Sequence, residues 1–203
     1  MHKINFKQKC NSNREYTIRN NNHNEGDNKM KIIFLDIDGV LNGYNKRLHL
    51  IGSICMKIKP LKKFWFRWDL FGIRWKYVKN LSKIVKKTNA KIVISSSWRG
   101  GWNVPYNECL PRMKSLKDKL HHYKIDVIGT TPYICGKRED EINKWLEETD
   151  YKIDNFVILD DESFDLQSFV GNHLVKTSTK NTSYTCSGLT FKYVKQAIKV
   201  LNS

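Results

Sequence analysis

Three short, uninterrupted apolar runs restrict the folds open to this chain. Ile32-Ile33-Phe34-Leu35, Ile92-Val93-Ile94 and Phe156-Val157-Ile158-Leu159 carry apolar side chains at successive positions. Neighbouring side chains of a strand point to opposite faces, so a run without alternation fits a strand covered on both sides. Stretches with helical spacing lie between these runs. In 77–87, Val78, Leu81, Ile84 and Val85 share one face. Met113, Leu116 and Leu120 do so in 112–122, and Ile142, Trp145 and Leu146 turn inward from 139–148. Asp126 to Gly129 and His173 to Lys176 read as shorter strands. Thr190 reads as the N-cap of a last helix that buries Val194, Ile198 and Leu201. Strands alternating with helices predict an α/β fold with a doubly wound parallel sheet.

Residues 1–29 are polar, with no helix or strand period, and predict a disordered tail. A basic arm touching nucleic acid is the alternative, and Met30 offers a second translation start. Residues 30–203 then form one domain. Within it, 44–76 sets Phe64, Trp65, Phe66, Trp68, Phe71 and Trp75 among lysines and arginines. This stretch reads as a small aromatic and basic cap insertion packed over the core. Its alternative is a surface that stacks bases while lysines meet phosphates, and Trp102 and Tyr106 suit either reading.

Thirty-six Lys and Arg against 20 Asp and Glu give a formal charge of +16. Such a field attracts polyanions, nucleic acid and nucleotides foremost. The plainer reading is compositional, since Lys, Asn and Ile are abundant together, as in proteins from AT-rich genomes. The five cysteines are scattered, with no CxxC pair, which disfavours a disulfide framework or a zinc knuckle and suits a reducing compartment. No apolar run approaches the length of a membrane span. A soluble, cytoplasmic protein without a membrane partner is expected.

In open α/β sheets, ligands bind beyond the carboxyl ends of the strands. The first apolar run ends in Asp36 and Asp38, the second in Ser95-Ser96-Ser97, and the third in Asp160-Asp161. Carboxylates gathered in one place repel, and a hard divalent cation relieves them; oxygen-only ligands point to Mg2+. A metal held beside hydroxyls and cations is equipped for phosphoryl transfer.

Phe34-Leu35-Asp36-Ile37-Asp38-Gly39-Val40-Leu41 resembles the first motif of the haloacid dehalogenase (HAD) superfamily. Ile92 to Arg99, Arg138 to Leu146 and Val157 to Asp161 are similar to the HAD phosphatase domains of multidomain RNA repair proteins. The resemblance spans roughly residues 31–201 and implies a Rossmann-like core. It implies that Asp36 is the nucleophile that takes the phosphoryl group, and that Asp38 is the general acid and base. Ser95 or Ser96 would hydrogen-bond a phosphoryl oxygen. Arg138, with Lys137 as alternative, would offset charge on nucleophile and phosphate. Gly39 and Lys137 join Arg99, whose guanidinium could fork onto phosphate, as expected substrate contacts. Mg2+ would be held by Asp36, Asp160, Asp161 and the backbone carbonyl of Asp38, with Asp165 as a further acid.

The function expected is a Mg2+-dependent phosphomonoesterase with an aspartyl-phosphate intermediate. Its substrate would be a terminal phosphate of RNA or DNA, foremost a 3′-phosphate in repair, or a nucleotide. The alternatives are a small-molecule phosphatase of the same family and a catalytically vestigial nucleic-acid-binding module.

Overall fold

The computed structural model describes residues 29–42, 72–134, 136–177 and 188–203. The chain enters β1 (Met30–Leu35) and later forms α1 (Trp75–Thr88), β2 (Lys91–Ile94), α2 (Pro111–His122) and β3 (Val127–Thr130). It continues through α3 (Arg138–Glu148), β4 (Ile153–Asp160), β5 (Leu174–Lys176) and α4 (Phe191–Leu201). The strands form one parallel sheet in the order β3-β2-β1-β4-β5. This is the doubly wound α/β arrangement that the unbroken apolar runs predict.

Alternation along β1 shows why those runs are unbroken. Ile33 and Leu35 face one layer, where Val78, Leu81 and Ile84 of α1, Leu116 of α2 and Val194 and Ala197 of α4 meet them. Ile32 and Phe34 face the other, against Ile142 and Trp145 of α3 and Leu166 and Phe169 beyond β4. The Phe34 ring is fully buried and meets Trp145 edge-on at 5.4 Å. Removing a ring so enclosed costs about 3–5 kcal/mol.

Helix ends follow local chemistry only in part. α1 begins at Trp75, two residues before the apolar period announces it, and ends where Asn89 takes the left-handed conformation at φ 55°. Glu139, Asp140 and Glu141 occupy the first turn of α3, where they favour the helix dipole. Thr190 does sit at the N-cap of α4, but its hydroxyl makes no capping bond. The expected tail, apart from Lys29, and most of the expected cap insertion (its residues 44–71) lie outside the described residues. Among the described residues, no helix is long and apolar enough to cross a membrane.

The register sets up the site. Leu35 of β1 lies opposite Ile94 of β2 and Leu159 of β4. The ladder continues one step past each strand: Asp36 N–H donates to Leu159 O and Ser95 N–H to Leu35 O, both at 2.9 Å. Asp36, Ser95 and Asp160 therefore come level on adjacent strands, which lie about 4.8 Å apart.

Candidate active site

Asp36, Asp160 and Asp161 converge at this edge. Each offers a carboxylate oxygen within 4.8 Å of the others'. Asp36 is 5% exposed and Asp160 1%, so two of the three charges are taken out of water. Arg138, the first residue of α3, reaches into the group. Its Nη1 pairs with Asp160 Oδ2 and lies 3.5 Å from Asp36 Oδ1. The other Asp160 oxygen accepts the Glu162 N–H at 2.8 Å. These groups line a cleft of about 210 Å3 together with Asp38, Ser97 and Phe164.

Burial and the neighbouring Asp160 charge push the Asp36 carboxyl well above the usual range, although Arg138 and a Ser96 hydrogen bond pull the other way. Burial likewise lifts Asp160, to about 6, against the pull of Arg138. For Arg138 burial acts downward, but Asp160 and then Asp36 more than offset it and hold the guanidinium charged. Asp36 and Asp160, both buried, share the one guanidinium of Arg138, which leaves an excess of negative charge in a confined space. Three converging hard oxygen donors with that deficit fit a hard divalent cation such as Mg2+.

Asp38 points elsewhere. Ile37 is fully buried between the two acids, while the Asp38 side chain is exposed. Its Oδ2 accepts the Trp98 indole N–H at 2.9 Å and its Oδ1 the Asn42 amide at 2.6 Å. Asn42 also accepts the Gly39 N–H at 2.8 Å, so one amide braces the whole turn. The Asp38 carboxylate stands outside the three-carboxylate group.

The two candidate serines separate. Ser96 is buried, its hydroxyl helps to lower the Asp36 pKa, and it caps the turn 97–101 by accepting the Trp98 N–H at 3.4 Å. The Ser95 hydroxyl is equally buried and has no hydrogen-bond partner among the described residues. A buried hydroxyl left so is costly, and a ligand oxygen at the strand edge would satisfy it.

The cations separate too. Among the described residues Arg138 is the one that pairs with Asp36 and Asp160. Lys137, one position earlier, is exposed at the N-cap of α3, with its backbone N–H directed to Asp140 at 3.3 Å. Arg99 is held at 2.6 Å by Glu141 of α3, with both side chains largely buried, and its guanidinium lies 5.2 Å from the Tyr133 ring. Asp165 accepts the Arg138 backbone N–H at 3.3 Å through its side chain and the Glu139 N–H at 3.1 Å through its carbonyl. It anchors the start of α3 and lies outside the three-carboxylate group.

Gly39 adopts φ +72°, and a Cβ there would collide with the Asp161 carboxylate. Thr177, just past β5, donates to Gly39 O at 3.1 Å and ties that loop to Asp160 O. Sequence reasoning singled out none of Trp98, Asn42, Thr177 or Glu141. Asn42 carries a usable signal, since an Asn after an acidic, glycine-containing turn is a common side-chain brace. Thr177 carries none.

The family model described as "HAD domain in Swiss Army Knife RNA repair proteins" matches residues 32–182. No curated protein and no solved structure matches the chain.

Proposed function

The chain belongs to the HAD domains of Swiss Army Knife RNA repair proteins, and from that premise we propose that it is a Mg2+-dependent phosphomonoesterase acting on terminal phosphates of RNA or DNA. The observation that carries the reading is the position of Asp36 beside Arg138 and Ser96, with Asp38 two residues on and lining the same cleft.

In the proposed reaction a phosphate monoester lies with its phosphorus before Asp36. The Asp36 carboxylate oxygen attacks phosphorus as the ester P–O bond breaks, and the departing oxygen takes its proton from Asp38. Asp38, now ionised, removes a proton from water. The water oxygen attacks the aspartyl-phosphate, its P–O bond to Asp36 breaks, and inorganic phosphate leaves with the Asp36 carboxylate restored. Arg138 is placed to offset charge on the phosphoryl oxygens, and the unpartnered Ser95 hydroxyl is available to donate to one of them. Asp36, Asp160 and Asp161 would hold Mg2+, which would neutralise phosphate charge beside the nucleophile. Cytoplasmic action on a 3′-phosphate end fits the scattered cysteines and the formal charge of +16.

The test is phosphate release with Mg2+ from oligonucleotides phosphorylated at the 3′ or the 5′ end, from free nucleotides and from small phosphate esters. Release should require Mg2+ and be abolished by Asp36→Asn. Equal background release by wild type and Asp36→Asn on every substrate would overturn the proposal. Turnover of small esters alone would leave a small-molecule phosphatase.

A further inference from the structure

A shallow groove of about 470 Å3 lies along α2 between Trp75 and Tyr106, with Lys114, Ser115, Asp118 and Lys119 inside it. It shares no residue with the carboxylate cleft. Both aromatic walls stand half in water, Trp75 at 49% exposure and Tyr106 at 51%. Lys114 Nζ lies 5.5 Å from the Tyr106 ring centre, and Lys119 Nζ, buried and already donating to Ile73 O and Ser115 Oγ, lies 5.6 Å from that of Trp75, so Lys114 is the groove's cation for phosphate. The pattern repeats on the flanks, where Lys117 lies 5.4 Å from Trp102 and Arg112 lies 5.2 Å from Trp98. Against these cations, residues 106–122 contain only Glu108 and Asp118 as acids.

Rings and cations interleaved in this way suit one class of ligand. A single-stranded nucleic acid stacks its bases on aromatic faces and sets its phosphates against Lys and Arg. An acidic peptide would engage the cations and leave the exposed rings unused, and an apolar ligand would do the reverse. The groove lies within the roughly 300–1,000 Å3 range of small-ligand sites, room enough for a base with its sugar. Lys114 and Lys117 each give one donor to a backbone carbonyl, at 3.1 and 2.8 Å, which orients them; an ammonium has three donors, so each keeps others for phosphate. Tyr106 donates to Asp118 at 2.9 Å, which fixes its ring, and the carboxylate is also an acceptor for the amino group of a base.

A chain of contacts runs from the groove to the cleft: Pro111 lines the groove, the next residue Arg112 lies over Trp98, and Trp98 hydrogen-bonds Asp38, which lines the cleft. We infer that this groove binds a base of a single-stranded nucleic acid whose phosphorylated end occupies the carboxylate cleft. The inference rests on the phosphatase reading for the placing of that end, and on the groove alone for binding.

Binding is measured by tryptophan fluorescence of the full chain titrated with a short single-stranded RNA ending in a 3′-hydroxyl, so that no phosphoester is turned over. Wild type should bind, with affinity falling as salt rises. Tyr106→Ala should weaken binding about tenfold or more, Tyr106→Phe should retain it, and Lys114→Glu should weaken it and flatten the salt dependence. Thermal melts establish that each variant is folded. Absence of binding, wild-type affinity in folded Tyr106→Ala, or displacement of the RNA by oligoglutamate as readily as by unlabelled RNA would overturn the inference. Hydrolysis of small phosphate esters without RNA binding removes the groove and leaves the phosphatase; RNA binding without hydrolysis of any ester does the opposite.

Discussion

Trp98 and Asp38, sixty residues apart in the chain, are joined by a 2.9 Å hydrogen bond from the indole N–H to Oδ2. With Asn42 on the other oxygen, an exposed carboxylate is held in one orientation across the cleft. A proton shuttle must face the leaving oxygen in one step and water in the next, so its direction matters as much as its presence. Trp98→Phe keeps the ring and removes the donor. It should lower kcat about tenfold and leave KM nearly unchanged, the size of one hydrogen bond to a charged acceptor. Asp38→Asn should cost about 10²–10⁴-fold. Steady-state kinetics on one phosphorylated oligonucleotide compare the two, and an unchanged kcat in Trp98→Phe would remove its positioning role.

The buried carboxylates predict how metal and pH act together. Asp160 titrates near 6 in the folded chain against 3.8 for the free side chain, and Asp36 is shifted in the same direction. A folded state with the higher pKa holds protons that the unfolded state releases. That contribution is complete below about pH 4 and is lost as pH rises through about 6. With the divalent metal chelated, Tm should therefore fall between pH 5 and pH 8. Added Mg2+ should raise Tm strongly at pH 8, where the acids are ionised, and little at pH 5. Melts in chelator and in Mg2+ at both pH values check this; equal Tm with and without Mg2+ at pH 8 would mean the three acids do not hold it.

Much of this site could be read from the sequence because parallel sheets place their chemistry at strand ends. Asp36, Ser95 and Asp160 each follow an apolar run directly, and the register brings them level. What the sequence hides are contacts made by loops. The Trp98 to Asp38 bond depends on the turn at 97–101, and the Thr177 to Gly39 bond spans 138 positions. Glu141 reads as one acid among several in the first turn of α3, yet it is 5% exposed and holds Arg99. An arginine free to clamp phosphate and one already paired look alike until the facing helix is in place.

Arg138 serves two carboxylates through one nitrogen: from the first turn of α3 its Nη1 pairs with Asp160 and lies 3.5 Å from Asp36 Oδ1. Arg138→Ala removes the guanidinium that Asp36 and Asp160 share and should lower kcat about 10²–10³-fold, in line with loss of a group that stabilises the transition state. Arg138→Lys restores the charge as a single point and should recover part of that loss. Kinetics in saturating Mg2+ separate the cases, since the metal then offsets the ground-state repulsion in all three proteins. Equal kcat in wild type and Arg138→Ala would show that the guanidinium only balances charge in the resting site.

Gly39 gives the sharpest steric test. Its φ of +72° disfavours any other residue, and an added Cβ would collide with Asp161. The Asp161 carboxylate stands beside the loop that aims Asp38, so the methyl must displace either the loop or the acid. Gly39→Ala should therefore cost about 1–3 kcal/mol of stability through backbone strain, together with weaker Mg2+ binding through movement of Asp161. The two effects separate in one pair of experiments: denaturant unfolding in chelator reads the strain, and the Mg2+ concentration giving half-maximal activity reads the displaced ligand. A stability loss with unchanged Mg2+ dependence would place the movement in the loop and leave Asp161 undisturbed.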